Sequence, residues 1–125
     1  MWKNIRFGIL GMTLIAAGCA GSSVVLTVTP GESVVNIKAS SFEFNPGIIM
    51  AQQGDRLTLA IENISGSEHN ITVKDPAGQV LVTKDLPAHE TIRIEVPLSQ
   101  AGEYLFYCDK PFHPTFGMKG RLVAE

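Results

Sequence analysis

The chain is predicted to fold as an all-β, two-sheet antiparallel sandwich of about seven or eight strands, and three observations predict it. Short runs rich in β-branched residues recur from Glu32 onward, several of them alternating apolar with polar side chains. Clusters of glycine, proline, asparagine and aspartate separate these runs. Beyond the first twenty or so residues, no stretch carries apolar side chains at the spacing of an amphipathic helix.

The first element is an export leader. Met1 to Cys19 places Lys3 and Arg6 ahead of an apolar run from Phe7 to Ala17 that ends in small residues. That run is too short to span a bilayer, which takes about 20 residues. Its last residues, Ala16-Ala17-Gly18-Cys19, resemble a bacterial lipobox, in which the cysteine is lipidated and becomes the mature N-terminus. Ala16 stands where leucine is favoured, with Leu14 and Ile15 just upstream. The expected organisation is a signal peptide over 1–18, a lipidated N-terminus and tether over 19–31, and one domain over 32–125. Within the tether, Gly21 to Gly31 is small, hydroxylated and apolar and ends in a Pro-Gly turn signal. It reads equally as a plain linker or as one holding an extra strand at Val24 to Val28.

The domain then reads as strands at Val34 to Ala39, Arg56 to Glu62, Asn70 to Lys74, Gln79 to Val82, Thr91 to Val96, Glu103 to Cys108 and Gly120 to Ala124. In the second of these Leu57, Leu59 and Ile61 face inward, and in the fifth Ile92, Ile94 and Val96 do so against Thr91, Arg93 and Glu95. Turn chemistry breaks the runs at Asn45-Pro46-Gly47, Gln53-Gly54-Asp55, Ser65-Gly66, Asp75-Pro76-Ala77-Gly78, Leu86-Pro87 and Ala101-Gly102.

Composition fits one domain. The 125 residues are 45% hydrophobic and 18% charged, which is ordinary for a globular chain with an apolar leader. Losing Lys3 and Arg6 with the leader leaves eight basic against twelve acidic residues, a net charge of −4. That balance gives no reason to expect nucleic acid or an anionic membrane surface as a partner.

The chemistry concentrates in Gly102 to Arg121, GEYLFYCDKPFHPTFGMKGR. Cys108, His113 and Met118 stand there at C-x4-H-x4-M spacing. Taken singly, they read as a buried thiol, a loop histidine and a core filler. Together they present a thiolate, an imidazole and a thioether to one point, and His69 can close a His2Cys plane with a long axial methionine bond, the donor set of a copper site. The alternation from Tyr104 puts Cys108 at a strand end with its sulfur inward. Pro111, Pro114 and Gly117 suit the turn that returns His113 and Met118 to it. Cysteine arithmetic agrees: with Cys19 lipidated or removed, Cys108 is a single thiol in an exported protein, where a metal protects it from oxidation. A Cys19–Cys108 crosslink would need a long flexible segment reaching a buried strand end.

Beyond the ligand loop, Ser41 to Pro46 (SFEFNP), Gly54-Asp55, Asn63, His69-Asn70, Gly102-Glu103-Tyr104 and Gly120 with Leu122 and Val123 follow one another in a specific order. From about Val34 onward the chain thereby resembles the cupredoxins, small blue copper proteins of the plastocyanin and azurin type. The resemblance implies a Greek-key sandwich holding one copper ion, with His69, Cys108 and His113 equatorial and Met118 axial. It implies that Asn70 ties the two ligand segments together, with its backbone N–H bonding the cysteine sulfur, an outer contact that tunes the metal. It also implies that the edge of the loop histidine reaches the surface in an apolar patch, here Pro111, Phe112, Pro114 and Phe116, where partners dock. Phe112 and Phe116 equally suit packing over the copper. Glu68 replaces the glycine whose carbonyl approaches copper in the azurin type, which favours four ligands. His89 matches no ligand and reads as a surface residue, and Met50 as a core or strand residue.

The expected function is that of a monomeric, lipid-anchored electron carrier of the bacterial envelope, serving transient redox partners. It is not expected to be an enzyme. A binuclear copper centre needs a second cysteine near Cys108, and a copper nitrite reductase or multicopper oxidase needs further histidines and domains. Two other classes remain: a copper carrier or chaperone using the same ligands, and a metal-free sandwich module for adhesion or assembly.

Overall fold

The computed structural model describes residues 22–110 and 118–125, and its regular structure there is entirely strand. In chain order these are β1 (Val25–Thr27), β2 (Val34–Ser40), β3 (Glu43–Asn45), β4 (Ile48–Ala51), β5 (Arg56–Asn63), β6 (His69–Lys74), β7 (Val80–Leu86), β8 (Thr91–Pro97), β9 (Gly102–Tyr107) and β10 (Lys119–Ala124). They form a six-stranded sheet, β1-β4-β10-β9-β6-β7, and a four-stranded sheet, β3-β2-β5-β8. The all-β sandwich is as expected.

Alternation explains the strands that face the core. Val35, Ile37 and Ala39 of β2, Leu57, Leu59 and Ile61 of β5, and Ile92, Ile94 and Val96 of β8 are buried, while Thr91, Arg93 and Glu95 stand exposed. These rows meet the inner side chains of β6, β9 and β10, including Ile71, Val73, Tyr104, Phe106 and Leu122. Phe44 and Phe106 cross the gap between sheets edge to face, with ring centroids 5.5 Å apart. The Tyr104 hydroxyl donates to the Gln100 carbonyl at 2.9 Å and accepts from the Gln100 N–H at 3.1 Å, pinning the entry to β9.

Two features differ from expectation. There are ten strands among the described residues where seven or eight were expected, because β3 and β4, of three and four residues, are too short to show a period. The Asn45-Pro46-Gly47 turn does separate them. And the sheets are mixed: β1 with β4, β4 with β10, and β2 with β5 run parallel, while the other pairs are antiparallel. No hairpin joins the parallel pairs, whose strands connect instead through chain passing elsewhere in the sandwich. Of the two readings for the tether, the strand is present, as β1. β7 runs on to Leu86, past the expected end at Val82, and as the outer strand beside β6 it shows little alternation of burial.

The topology gives the sandwich two poles. β6 begins at the same end where β9 finishes and β10 starts, since β9 lies antiparallel between the other two. The opposite end carries the Gln52–Asp55 turn, where the Gln53 N–H bonds the Glu125 carbonyl at 2.8 Å.

Candidate metal centre

Backbone register brings the described donors together. β10 pairs with β9 so that Lys119 faces Tyr107, and one step further the Cys108 N–H donates to the Met118 carbonyl at 3.1 Å. On the other side of β9, Thr72 of β6 faces Tyr107, so the same step sets Cys108 level with Ile71, two residues from His69. Residues two apart on a strand share a face. Cys108 continues the inward row of Tyr104 and Phe106, and Met118 precedes the inward Gly120 and Leu122. Cys108 and Met118 are fully buried and His69 is 2% exposed. A thiol, a thioether and an imidazole thus occupy one end of one sheet on three adjacent strands, about 5 Å apart from strand to strand.

Hydrogen bonds fasten the segments that carry them. Asn70, also buried, donates through Nδ2 to Asp109 Oδ1, and the Asp109 N–H donates to Asn70 Oδ1 at 2.8 Å. This two-way bond ties the residue after His69 to the residue after Cys108. Beside it, Lys110 Nζ meets Glu68 Oε1 at 3.2 Å. The hydrogen bond that Lys110 donates to Glu68, and then the Glu68 charge, hold the Lys110 pKa above the ordinary lysine value.

The loop before β6 is fixed by Asn63, which is wholly buried. Its Nδ2 donates to the Ser67 carbonyl at 2.8 Å and the Leu86 carbonyl at 3.0 Å, and its Oδ1 accepts from the Ser65 N–H at 3.0 Å and the Ser65 hydroxyl at 2.8 Å. Ser65 Oγ in turn lies 3.0 Å from His69 Nε2. With Nε2 engaged, Nδ1 is the nitrogen a metal would take, because the ring nitrogen opposite a metal characteristically carries a proton to an outer partner.

The sequence marks Asn63 only within an ordered pattern and Ser65 only as a turn residue, and gives Asp109 no role. The Asn-x-Ser-Gly-Ser run is an Asx-turn signal that could have pointed to the first two. His113 lies outside the described residues, as do Pro111, Phe112, Pro114, Phe116 and Cys19. His89 sits exposed in the turn before β8, and Met50 is half-buried on β4. Among the described residues no three His, Cys, Asp or Glu side chains converge on a metal site. The expected set needs the thioether of Met118 and the imidazole of His113. What is described fits a soft transition metal: a buried thiol and thioether supply soft donors, and an oriented imidazole suits copper.

Comparison with known proteins agrees with this donor chemistry. Residues 8–124 match the sequence profile of the cupredoxin-like domain family. Among solved structures, the chain is similar to dithionite-reduced auracyanin from the photosynthetic bacterium Roseiflexus castenholzii, at 18% identity and a TM-score of 0.66, covering 75% of this chain and 98% of that one. It is similar to auracyanin B at 21% identity and a TM-score of 0.65, covering 84% of this chain and 96% of that one. It is also similar to auracyanin A, a "blue" copper protein from the green thermophilic photosynthetic bacterium Chloroflexus aurantiacus, at 22% identity and a TM-score of 0.60, covering 74% of this chain and all of that one. No curated protein sequence matches the chain.

Proposed function

This chain belongs to the cupredoxin-like family, and on that premise we propose that it is a type 1 copper protein carrying single electrons between redox partners of a bacterial envelope. One copper ion is the family's cofactor and electron transfer its general role. The observation that carries the proposal is the burial of Cys108, Met118 and His69 at one end of a single sheet. His69, Cys108 and His113 would hold the copper as strong donors and Met118 as a weak one.

A copper ion held there would supply one-electron Cu(II)/Cu(I) chemistry to a redox partner. The protein's part is to hold its donors still, because a site that barely rearranges exchanges electrons fast. Cys108 and Met118 are held by the β9–β10 ladder, and His69 by β6 and the Ser65 hydroxyl. The Asn70–Asp109 bond locks one ligand segment to the other. Such anchoring suits retention of the metal better than release, so it favours an electron carrier over a copper chaperone.

Cys19 carries the lipid that attaches the mature chain to a membrane, residues 32–125 form the copper domain, and Pro111, Phe112, Pro114 and Phe116 surround His113 where partners dock briefly. The protein acts as a monomer and is not an enzyme. The test is an optical titration of the reduced, metal-free protein with copper(II), followed by electron paramagnetic resonance. The expected result is an intense visible thiolate-to-copper band with a narrow copper hyperfine splitting, both lost in Cys108→Ser. A folded, reduced protein that takes up copper without that band refutes the electron-carrier reading.

A further inference from the structure

The chain enters the sandwich at the pole that holds the metal donors. β1 runs parallel to β4 with Val25 opposite Ile48, and Ile48 lies opposite Arg121 of β10 on its other side. The Ile48 N–H bonds the Val24 carbonyl at 3.1 Å, and the Arg121 N–H bonds the Gly47 carbonyl at 2.9 Å, so the three strands are locked in register at this end. Three residues back from Val25 and from Arg121 are Ser22 and Met118. Ser22 remains packed against β4, since a Cβ on Gly47 would run into its carbonyl. Ser22 and Ser23 line an open groove with Gly47, Ile48, Lys119 and Arg121. Gly47 is level with Gly120 in the same register, so Ser22, packed against Gly47, lies within about two residues of the level of Met118 at this end of the sheet.

Covalent length then limits where an anchor can be. Cys19 precedes Ser22 by three residues, which span at most about 11 Å even when fully extended. A lipid on Cys19 holds Ser22 near the headgroups, and with it the pole of His69, Cys108 and Met118. The opposite pole, with the Gln52–Asp55 turn and Glu125, is roughly 20 Å farther off, the length of the six-residue β10.

We propose that the N-terminal tether holds this domain with its metal pole toward the bilayer, so that its partners are integral membrane redox proteins whose centres lie at the membrane surface. This rests on the lipid at Cys19 and on the copper site proposed above. A freely soluble partner would have to approach a face turned toward the headgroups. A membrane-embedded one meets it by diffusion in two dimensions, with the short tether restricting the domain to the productive orientation.

The test uses the full exported chain, copper-loaded and reconstituted into phosphatidylcholine vesicles bearing a sparse headgroup fluorophore that emits in the thiolate-to-copper band. Oxidised protein absorbs there and reduced protein does not, so quenching that ascorbate relieves reports how close the copper lies to the headgroups. The parent chain is expected to show strong redox-dependent quenching. Twenty Gly/Ser residues inserted between Gly21 and Ser22 add a coil of about 25 Å root-mean-square length and should cut that quenching roughly threefold or more. Equal quenching by both proteins, or none by a parent chain that floats with the vesicles and shows the band, overturns the proposed orientation alone. A chain that fails to float, or whose mass spectrum shows no lipid on Cys19, overturns it together with the anchor. A vesicle-bound chain without the band overturns it together with the copper site.

Discussion

Asn63→Ala tests whether the loop leading to His69 is held by the side chain that the structure places beneath it. The substitution deletes two bonds donated to the Ser67 and Leu86 carbonyls and two accepted from Ser65. Ser65 and Ser67 lie near solvent, so water recovers part of their loss and each bond costs about 1 kcal/mol or less. Leu86 is fully buried, and its carbonyl loses a partner that water cannot replace, at about 1–3 kcal/mol. The expected total is roughly 3–5 kcal/mol, a large share of the ~5–15 kcal/mol that holds a typical domain folded. The assay is urea unfolding of the metal-free protein followed by circular dichroism. With a slope of about 1–3 kcal/mol per molar, the midpoint should fall by at least ~1 M at unchanged slope. Asn63→Asp should do no better, because it keeps the acceptor for Ser65 but turns a carboxylate toward two carbonyl oxygens. A midpoint that moves by less than about 0.3 M in Asn63→Ala, with the slope unchanged, would refute the reasoning.

Ser65→Ala should lower the urea midpoint by less than Asn63→Ala does, since it loses the hydroxyl's bond to Asn63 at about 1 kcal/mol or less, yet weaken copper binding by about 10–100-fold, because it removes the group 3.0 Å from His69 Nε2; competition with a copper chelator measures this, and Ser65→Thr, which retains a hydroxyl, should restore much of it. Gly120→Ala should destabilise by about 1–3 kcal/mol or more, since a Cβ there would run into the Phe106 ring and the Gly47 carbonyl oxygen. As Gly120 and Phe106 flank Met118 and Cys108, its electron paramagnetic resonance spectrum should broaden as well. Glu68→Gln removes the charged partner whose hydrogen bond and charge are the largest causes of the raised Lys110 pKa. A pKa higher in the folded state adds stability that is full below the unfolded lysine value of about 10.4 and is lost as pH rises through the folded one. The difference in urea midpoint between Glu68→Gln and parent should therefore stay constant from about pH 6 to 9 and shrink only in stronger base.

The elements legible in the sequence are those with one face in the core. β2, β5 and β8 alternate because each lies with one side against the other sheet and one side in water, and their inner residues could be named in advance. β6 is buried on both faces along nearly its whole length and β7 is exposed for most of its length, so neither shows a period that marks its ends. β1, β3 and β4 are short, and β1 and β4 gain their place from parallel neighbours far along the chain. The same division runs through the site. Cys108, Met118 and His69 declare themselves because few other roles collect those donor types. Asn63, Ser65 and Asp109 are polar residues of kinds that fill many turns. Asp109 acquires its role only from the partner it meets in Asn70, 39 residues away.

All three described donors lie in or directly beside strands of the six-stranded sheet, His69 in β6, Cys108 just after β9 and Met118 just before β10. The smaller sheet closes the core from behind, and its outward residues, among them Lys38, Glu62, Arg93 and the Arg56–Glu95 pair at 3.4 Å, face water. That wall is a chassis. Charge can be added there to tune solubility, or a label or electrode linker attached, with the β9–β10 ladder beside Cys108 and Met118 left untouched. A protein wired through this face would present its metal pole edge-on, open to exchange with whatever partner is supplied in solution.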